Sequence, residues 1–481
     1  MDFEAQLRSA FPHVPTPGQE LFIRAFARFF VSRQPRCTLL LRGYAGTGKT
    51  TSVGAVVRVL AENGTPTVLL APTGRAAKVM QQYAGVPAST IHRQLYCASR
   101  TRDGSVAYGL APNPWKGAVF LVDEASMIGE SNGVRADEDG FGYRSLLDDL
   151  MEYVFNGEDC RLVLIGDDAQ LPPVGTDRSP ALDEEELRRE FHLTVAGIRL
   201  TDVVRQELDS AILANAHGLR LRIDAREQGF PALREGAEVL RLAGGEMQEV
   251  LEDLYGRYGE EGVAVITRSN KRANLFNASI RTRILGREED LDAGDRLMVV
   301  RNNYHWLADR PDFVNPLIAN GDAVEVLRIV RRFERYGAPF AEAELRLLDA
   351  PPHAPFTALL HLSVLHTDAP SLPSAELRAL YEAVAEDYVE LGDRRRIHKA
   401  VLADPCYQAL QVKFAWALTC HKAQGGQWPA VVVDQGYLTE EHLNVELHRW
   451  MYTAFTRARE RLYLLNFVDA FFPDGGAGSS D

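Results

Sequence analysis

The chain has 481 residues, 46% of them hydrophobic, with 53 basic and 66 acidic side chains and a net charge of −13. That length suggests about three or four units at roughly 100–200 residues each. The acidic balance argues against a non-specific polyanion coat, so any nucleic acid must find a local basic groove. Five scattered cysteines, Cys37, Cys97, Cys160, Cys406 and Cys420, form no C-x-x-C pair, which sets aside a disulfide framework and a zinc site. No apolar run approaches the ~18 residues of a membrane span. The start MDFEAQLRSAF is acidic and amphipathic, so a cytoplasmic protein with no membrane partner is expected.

In chain order, the apolar run CTLLL (37–41) reads as a strand entering GYAGTGKTT (43–51), and TSVGAVVRVLAENG follows as a helix. Gly43, Gly48, Lys49 and Thr50 stand at the spacing G-x-x-x-x-G-K-T. In that context backbone N–H groups converge on phosphate oxygens, the lysine reaches the β- and γ-phosphates, and the threonine hydroxyl meets Mg²⁺. The expected ATP site is Gly43, Gly46, Thr47, Gly48, Lys49, Thr50 and Thr51. Strand patterns at TVLLA (67–71), AVFLVD (118–123) and RLVLIG (161–166) alternate with helical ones, the mark of a parallel sheet with crossover helices.

A second α/β unit is expected from GVAVITRS (262–269), KFAWALTC (413–420), AVVVD (430–434) and RLYLLNF (461–467). Between its strands, about 317–410 reads as an inserted small β domain with a charged helix, SAELRALYEAVAEDYVELG. The stretch 129–145 reads as an acidic, glycine-rich solvated loop, and 471–481 as a disordered tail.

VFLVDEAS (119–126) ends a buried strand in two carboxylates, which is costly unless a metal or a reaction uses them. Asp123 is expected to hold Mg²⁺ through water and Glu124 to polarise the attacking water. Gln170, in IGDDAQLPPVG (165–175), is placed to touch both the γ-phosphate and that water. Phosphoryl transfer needs positive charge on the phosphate's far side, often arginine supplied across an interface. Arg205 in LTDVVRQ and Arg457 in RWMYTAFTRARERL are the candidates, both in the second unit. Hydrolysis between the units would change their separation.

The ordered set GYAGTGKT, APTGRAA (71–77), STIHRQL (89–95), LVDEAS, GDDAQLPPVG, VVRQ, LTCHKAQGGQW (418–428) and MYTAFTRARERL resembles the motifs of superfamily 1 helicases. The resemblance is to the RecD-like and phage T4 Dda-like 5′→3′ DNA helicases, with a UvrD-like second motor, and it spans about 15–467. It implies an α/β chain of two RecA-like P-loop domains with ATP and Mg²⁺ between them. The first motor would be 1–190, with a 1B pin hairpin at about 97–116 turning at Asp103-Gly104. The second would be 191–316 and 411–470, and 317–410 an SH3-like 2B insert.

The same resemblance makes Gln19 in TPGQELFI the adenine reader. Pro72, Thr73, Thr90 and His92 of the first motor, and Thr419, His421 and Lys422 of the second, would meet the DNA backbone. Hydroxyl and N–H contacts to phosphate reconcile DNA binding with the acidic balance. Val204 stands where UvrD-like relatives carry an adenine-stacking aromatic, and Gln427 where an acidic residue is usual. The implied partners are single-stranded and tailed duplex DNA, with a monomeric enzyme and room for single-strand-binding or repair proteins. Two alternatives stay open at this point: an RNA helicase of the same superfamily, and a nucleotide-switched ATPase acting on a protein partner without translocation.

Overall fold

The computed structural model describes residues 2–100, 106–129, 145–202, 210–308, 310, 317–348 and 355–473. Arg205, Val204, the Asp103-Gly104 turn and most of the 129–145 stretch lie outside them.

The first unit is built on a six-stranded sheet. Its strands are β1 (Cys37–Gly43), β2 (Thr67–Ala71), β3 (Ala88–Thr90), β6 (Val119–Val122), β7 (Arg161–Gly166) and β8 (Thr194–Leu200), and β4 (Tyr96–Arg100) pairs with β5 (Val106–Leu110) as a separate hairpin. The sheet order is β3-β2-β6-β7-β1-β8, and every pairing is parallel. Helices cover both faces, so the central strands are apolar throughout rather than alternating, and all four residues of β6 are buried. Two cores result, one around Phe22, Phe26, Leu39 and Val56, the other around Phe120, Tyr153, Leu162 and Leu164.

The second unit has β9 (Val239–Leu242), β10 (Val263–Thr267), β16 (Ala417–Thr419), β17 (Trp428–Asp434) and β18 (Ala458–Leu465), parallel in the order β16-β10-β17-β18-β9. Between them an antiparallel sheet, β14-β13-β12-β11-β15, is formed by β11 (Arg296–Val299), β12 (Ala323–Arg335), β13 (Ala338–Leu347), β14 (Phe356–His361) and β15 (Val412–Phe414). Helices Ser374–Glu386 and Arg394–Ala403 flank it. Two α/β units with parallel sheets and one β insert are therefore present, as the alternation of patterns predicts.

Four boundaries differ from the sequence reading. KFAWALTC is not one strand: Met298 of the insert pairs with Lys413, while Ile266 of the second motor pairs with Leu418. The chain changes sheets at the buried Trp416, and an eight-residue run with no turn residue carries no sign of it. The insert's sheet thus begins at 296 and closes at 414, outside the expected 317–410. The first sheet runs past residue 190, because β8 pairs with β1 from Cys37↔Thr194 to Gly43↔Leu200. The expected tail at 471–481 starts too early, since Phe471 and Phe472 are buried and Leu233 N–H donates to Phe471 O at 2.7 Å. Among the described residues no helix is long and apolar enough to cross a membrane.

Candidate nucleotide site and nucleic-acid face

β1 delivers its loop to the sheet's C-terminal edge, and Gly46 and Gly48 adopt φ of 76° and 78°, which a side chain would strain. Gly48 is the N-cap of helix Lys49–Glu62, so the loop's N–H groups and the helix's positive end share one focus. At Gly43 a Cβ would stand 2.8 Å from Thr47 Oγ1, so only glycine fits there. Lys49 Nζ donates to Gly43 O at 2.5 Å and Tyr44 O at 2.9 Å and lies 4.0 Å from Asp167. Thr50 is exposed and Thr51 half-buried on the first turn of that helix.

The strand end of β6 carries the paired carboxylates. Asp123 Oδ2 accepts from Tyr83 OH at 2.6 Å and Oδ1 from Glu124 N–H at 2.8 Å, which fixes its orientation. Glu124 itself sits at φ 51°, a left-handed conformation uncommon for a non-glycine residue, and its carboxyl is turned toward the second motor. There it lies 3.9 Å from Arg457 Nη1. Burial raises the Glu124 pKa against the opposing pull of Arg457. Arg457 is buried and held by Thr453 O at 2.9 Å, Gly426 O at 3.2 Å and Thr456 Oγ1 at 3.2 Å.

Gln170, three residues past Asp167, is buried, and its Oε1 has no partner among the described residues. Gln19 is engaged through one end of its amide: with Thr16 it forms the capping box of helix Pro17–Val31, accepting from Thr16 N–H at 3.0 Å, while its buried Nε2 is unpartnered. Unsatisfied buried polar atoms are uncommon in native structures. An acceptor at Gln170 fits the O–H of a water, and a donor at Gln19 fits a base edge. Among the described residues no cluster of three or more His, Cys, Asp or Glu is placed to hold a metal ion. The Thr50 hydroxyl and the Asp123 carboxylate are hard oxygen donors of the kind Mg²⁺ takes.

The nucleic-acid candidates gather at the same edge of both sheets. Ala71 of β2 pairs with Thr90 of β3, and Thr267 of β10 with Thr419 of β16, so the residues that follow emerge side by side. Thr73 caps helix Gly74–Ala84, accepting from Ala76 N–H at 3.2 Å, and remains half-buried with Pro72. A Cβ on Gly425 of the second motor would lie 2.7 Å from Ala76 Cβ and 3.3 Å from Thr73 Oγ1, so the two groups adjoin across the motors. Arg75 stacks on Trp428 at 4.7 Å and bridges the same junction.

Thr90 differs from the expectation: its hydroxyl caps helix Ile91–Leu95, accepting from Arg93 N–H at 3.2 Å, and the residue is 1% exposed, so the side chain is not presented to a polyanion. His92 is half-buried, 5.7 Å ring to ring from Tyr96. Thr419, His421 and Lys422 are half-buried; burial lowers the His421 pKa and pushes Lys422 down to about 8. No carboxylate among the described residues pairs with Lys422.

Four residues that sequence reasoning gave no role hold the site's groups in place from outside it. Asp202 Oδ2 accepts from Gly18 N–H at 2.7 Å, and Tyr83 orients Asp123. Asp167, 1% exposed, accepts from Tyr452 OH at 2.6 Å. For Asp167 the signal was the acidic residue directly after the β7 run, in the quoted GDDAQ. For Tyr452 it was a hydroxyl inside the apolar helix WMYTAF.

An AAA domain model matches residues 17–239, and a UvrD-like helicase C-terminal domain model matches 414–465. The chain is 26% identical over 444 residues to the ATP-dependent RecD2 DNA helicase of Deinococcus radiodurans, covering 90% of this chain and 47% of that protein. It is 31% identical over 137 residues to the ATP-dependent DNA helicase dda of Enterobacteria phage T4, covering 28% of each. It therefore spans about half the length, or less, of these curated relatives. A Pif1 helicase from Bacteroides, solved with ADP-AlF3 and ssDNA, aligns over 96% of this chain and 94% of its own at 13% identity and a TM-score of 0.47. The chain thus carries an AAA domain and a UvrD-like helicase C-terminal domain on one polypeptide, and it is similar in sequence to RecD2 and Dda.

Proposed function

We propose that the chain is an ATP-dependent DNA helicase that moves 5′→3′ along single-stranded DNA and separates the duplex ahead of it. The observation that carries the reading is the approach of Arg457, from the second motor, to within 3.9 Å of Glu124 at the phosphate loop of the first. RecD2 and Dda both bear the name of ATP-dependent DNA helicases, which supports the same activity here.

In this reading Lys49 and the loop N–H groups bind the β- and γ-phosphates, Gln19 Nε2 meets the adenine edge, and Thr50 and Asp123 hold Mg²⁺. Mg²⁺, when bound, neutralises charge on the phosphate oxygens. Glu124 takes the proton of the attacking water, a task its raised pKa favours. Gln170 Oε1 orients that water, and Arg457 stabilises charge on the transferred phosphoryl group. Arg205, outside the described residues, is proposed as a second arginine from the same motor. Loss of the γ-phosphate releases Arg457 and Gln170 together, and the motors shift relative to one another. Pro72, Thr73, His92, Thr419, His421 and Lys422 hold the strand, the hairpin at 96–110 divides the duplex, and the β insert flanks the path.

ATP hydrolysis is measured with and without single-stranded DNA or RNA, and unwinding with duplexes tailed at one end. DNA-stimulated hydrolysis and opening of the 5′-tailed duplex alone are expected. Opening of only the 3′-tailed substrate would overturn the polarity, and stimulation by RNA alone the substrate. A lack of response to either nucleic acid would leave a nucleotide switch.

A further inference from the structure

We infer that Tyr452 is a positioning residue through whose hydroxyl the phosphate loop and the DNA-binding motor sense one another. This rests on the reading of the chain as a DNA-stimulated ATPase and assigns the coupling within it to one group.

Tyr452 lies on helix Val445–Phe455 of the second motor and is 1% exposed. Its oxygen accepts from Ala45 N–H at 2.8 Å, and its proton goes to Asp167 Oδ2 at 2.6 Å. Ala45 is inside the phosphate loop, and Asp167 stands 4.0 Å from Lys49 Nζ. One hydroxyl of the second motor therefore holds both a loop amide and the carboxyl beside the loop lysine. Burial and the adjacent Asp167 raise the phenol's pKa, so the phenol keeps its proton.

The neighbouring loop residue is gripped as well. Tyr44 packs under Arg220 at 4.2 Å, its hydroxyl accepts from Arg199 at 2.8 Å and donates to Asp224 at 3.3 Å, and its ring joins the second motor's core. On the other side, Gln424, two residues past Lys422, donates to Leu171 O at 2.8 Å. Leu171 N–H donates to Thr453 Oγ1 at 2.9 Å, on the helix of Tyr452. Arg449 of that helix bonds the carbonyls of Asp168 and Gln170. Segment 168–171, which Gln424 holds close to the strand-binding residues 419–422, is thus bonded to the helix of Tyr452 at three points, two through Arg449 and one through Thr453, and Tyr452 bonds that helix to Ala45.

Tyr452→Phe keeps the ring in the core but leaves Ala45 N–H without its acceptor and Asp167 Oδ2 without the phenol donor. The test uses the full chain, labelled oligothymidine and a non-hydrolysable ATP analogue with Mg²⁺. The Kd of each ligand is measured with and without the other, and linkage requires the two ratios to agree. In Tyr452→Phe the coupling ratio should fall toward 1 by about 5-fold or more, with each Kd measured alone within about 3-fold of wild type. Thr453→Val, which removes one of the three bonds between segment 168–171 and the helix and leaves both of those made by Arg449, should keep the ratio.

An unchanged ratio in Tyr452→Phe, or an equal loss in Thr453→Val, overturns the assignment. Should Tyr452→Phe not fold, amide exchange at residues 44–46 of the wild type decides. Protection there should change when oligothymidine binds, and no change overturns the assignment. A wild-type chain showing no DNA-stimulated hydrolysis would overturn the underlying reading, and the assignment with it, whereas a stimulated wild type with an unchanged variant overturns the assignment alone.

Discussion

Lys422 shows how a single side chain sets binding against stability. Burial pushes it from 10.5 down to about 8, and no acidic partner among the described residues offsets the lost hydration. Because the folded pKa lies below the unfolded one, the charged form is disfavoured in the fold. The penalty is complete below about pH 8 and fades as pH rises toward 10.5. A phosphate contact would supply the missing counter-charge. Lys422→Met is therefore expected to raise the unfolding free energy at pH 7 by roughly 1–3 kcal/mol and to weaken binding of single-stranded DNA. Denaturant titrations at pH 7 and pH 10 should show the gain shrinking at the higher pH. A variant that is no more stable and binds DNA as well as wild type would remove Lys422 from the face. Its neighbour Lys413, also near 8, donates to Thr367 O and is a structural counterpart.

At the scale of elements, the proposed role of the hairpin as a wedge can be tested apart from catalysis. β4 and β5 pair antiparallel from Tyr96↔Leu110 to Arg100↔Val106, directly after helix Ile91–Leu95 and its half-buried His92. Its base is fixed, since Tyr96 OH donates to the buried Asp149 at 2.6 Å and Ala111 N–H to Leu95 O at 2.7 Å. A wedge has only to exclude one strand and needs no contact with the phosphate loop or Arg457. Replacing Thr101–Val106 by a Gly-Ser link should leave DNA-stimulated ATPase near normal, and the rate of protein displacement from single strands similar. Duplex separation should drop sharply. Unwinding at the wild-type rate would assign strand separation to another element.

The two motors and the insert are interlocked as a whole molecule. Tyr44 and Ala45 are seated against the second motor, Arg93 of the first motor donates to the buried Asp322 of the insert at 2.6 Å, and Lys78 Nζ reaches Leu348 O at 2.9 Å. Such shared contacts predict one cooperative unfolding transition, with calorimetric and van't Hoff enthalpies in agreement, moved upward by ATP and Mg²⁺. Two resolved transitions would show that the motors melt independently.

What the sequence determined by itself was local in kind. The phosphate loop and its helix follow from Gly43, Gly46, Gly48 and Lys49, because positive φ and a bare helix N-terminus are properties of a few consecutive residues. The parallel sheets follow from buried runs such as VFLV, and the carboxylates from their place at the end of one. The tertiary structure decided what depends on partners far along the chain. Gly425 reaches Ala76 and Arg457 reaches Glu124, pairs more than 300 positions apart, and no spacing records them. KFAWALTC divides between two sheets because an apolar segment satisfies either equally, and its neighbours, Met298 and Ile266, make the choice. Thr90 is withdrawn into a helix cap by local geometry that a hydroxyl in a motif does not reveal. Tyr452 looked like core because it is core, and only the positions of Ala45 and Asp167 around its hydroxyl give it a second use.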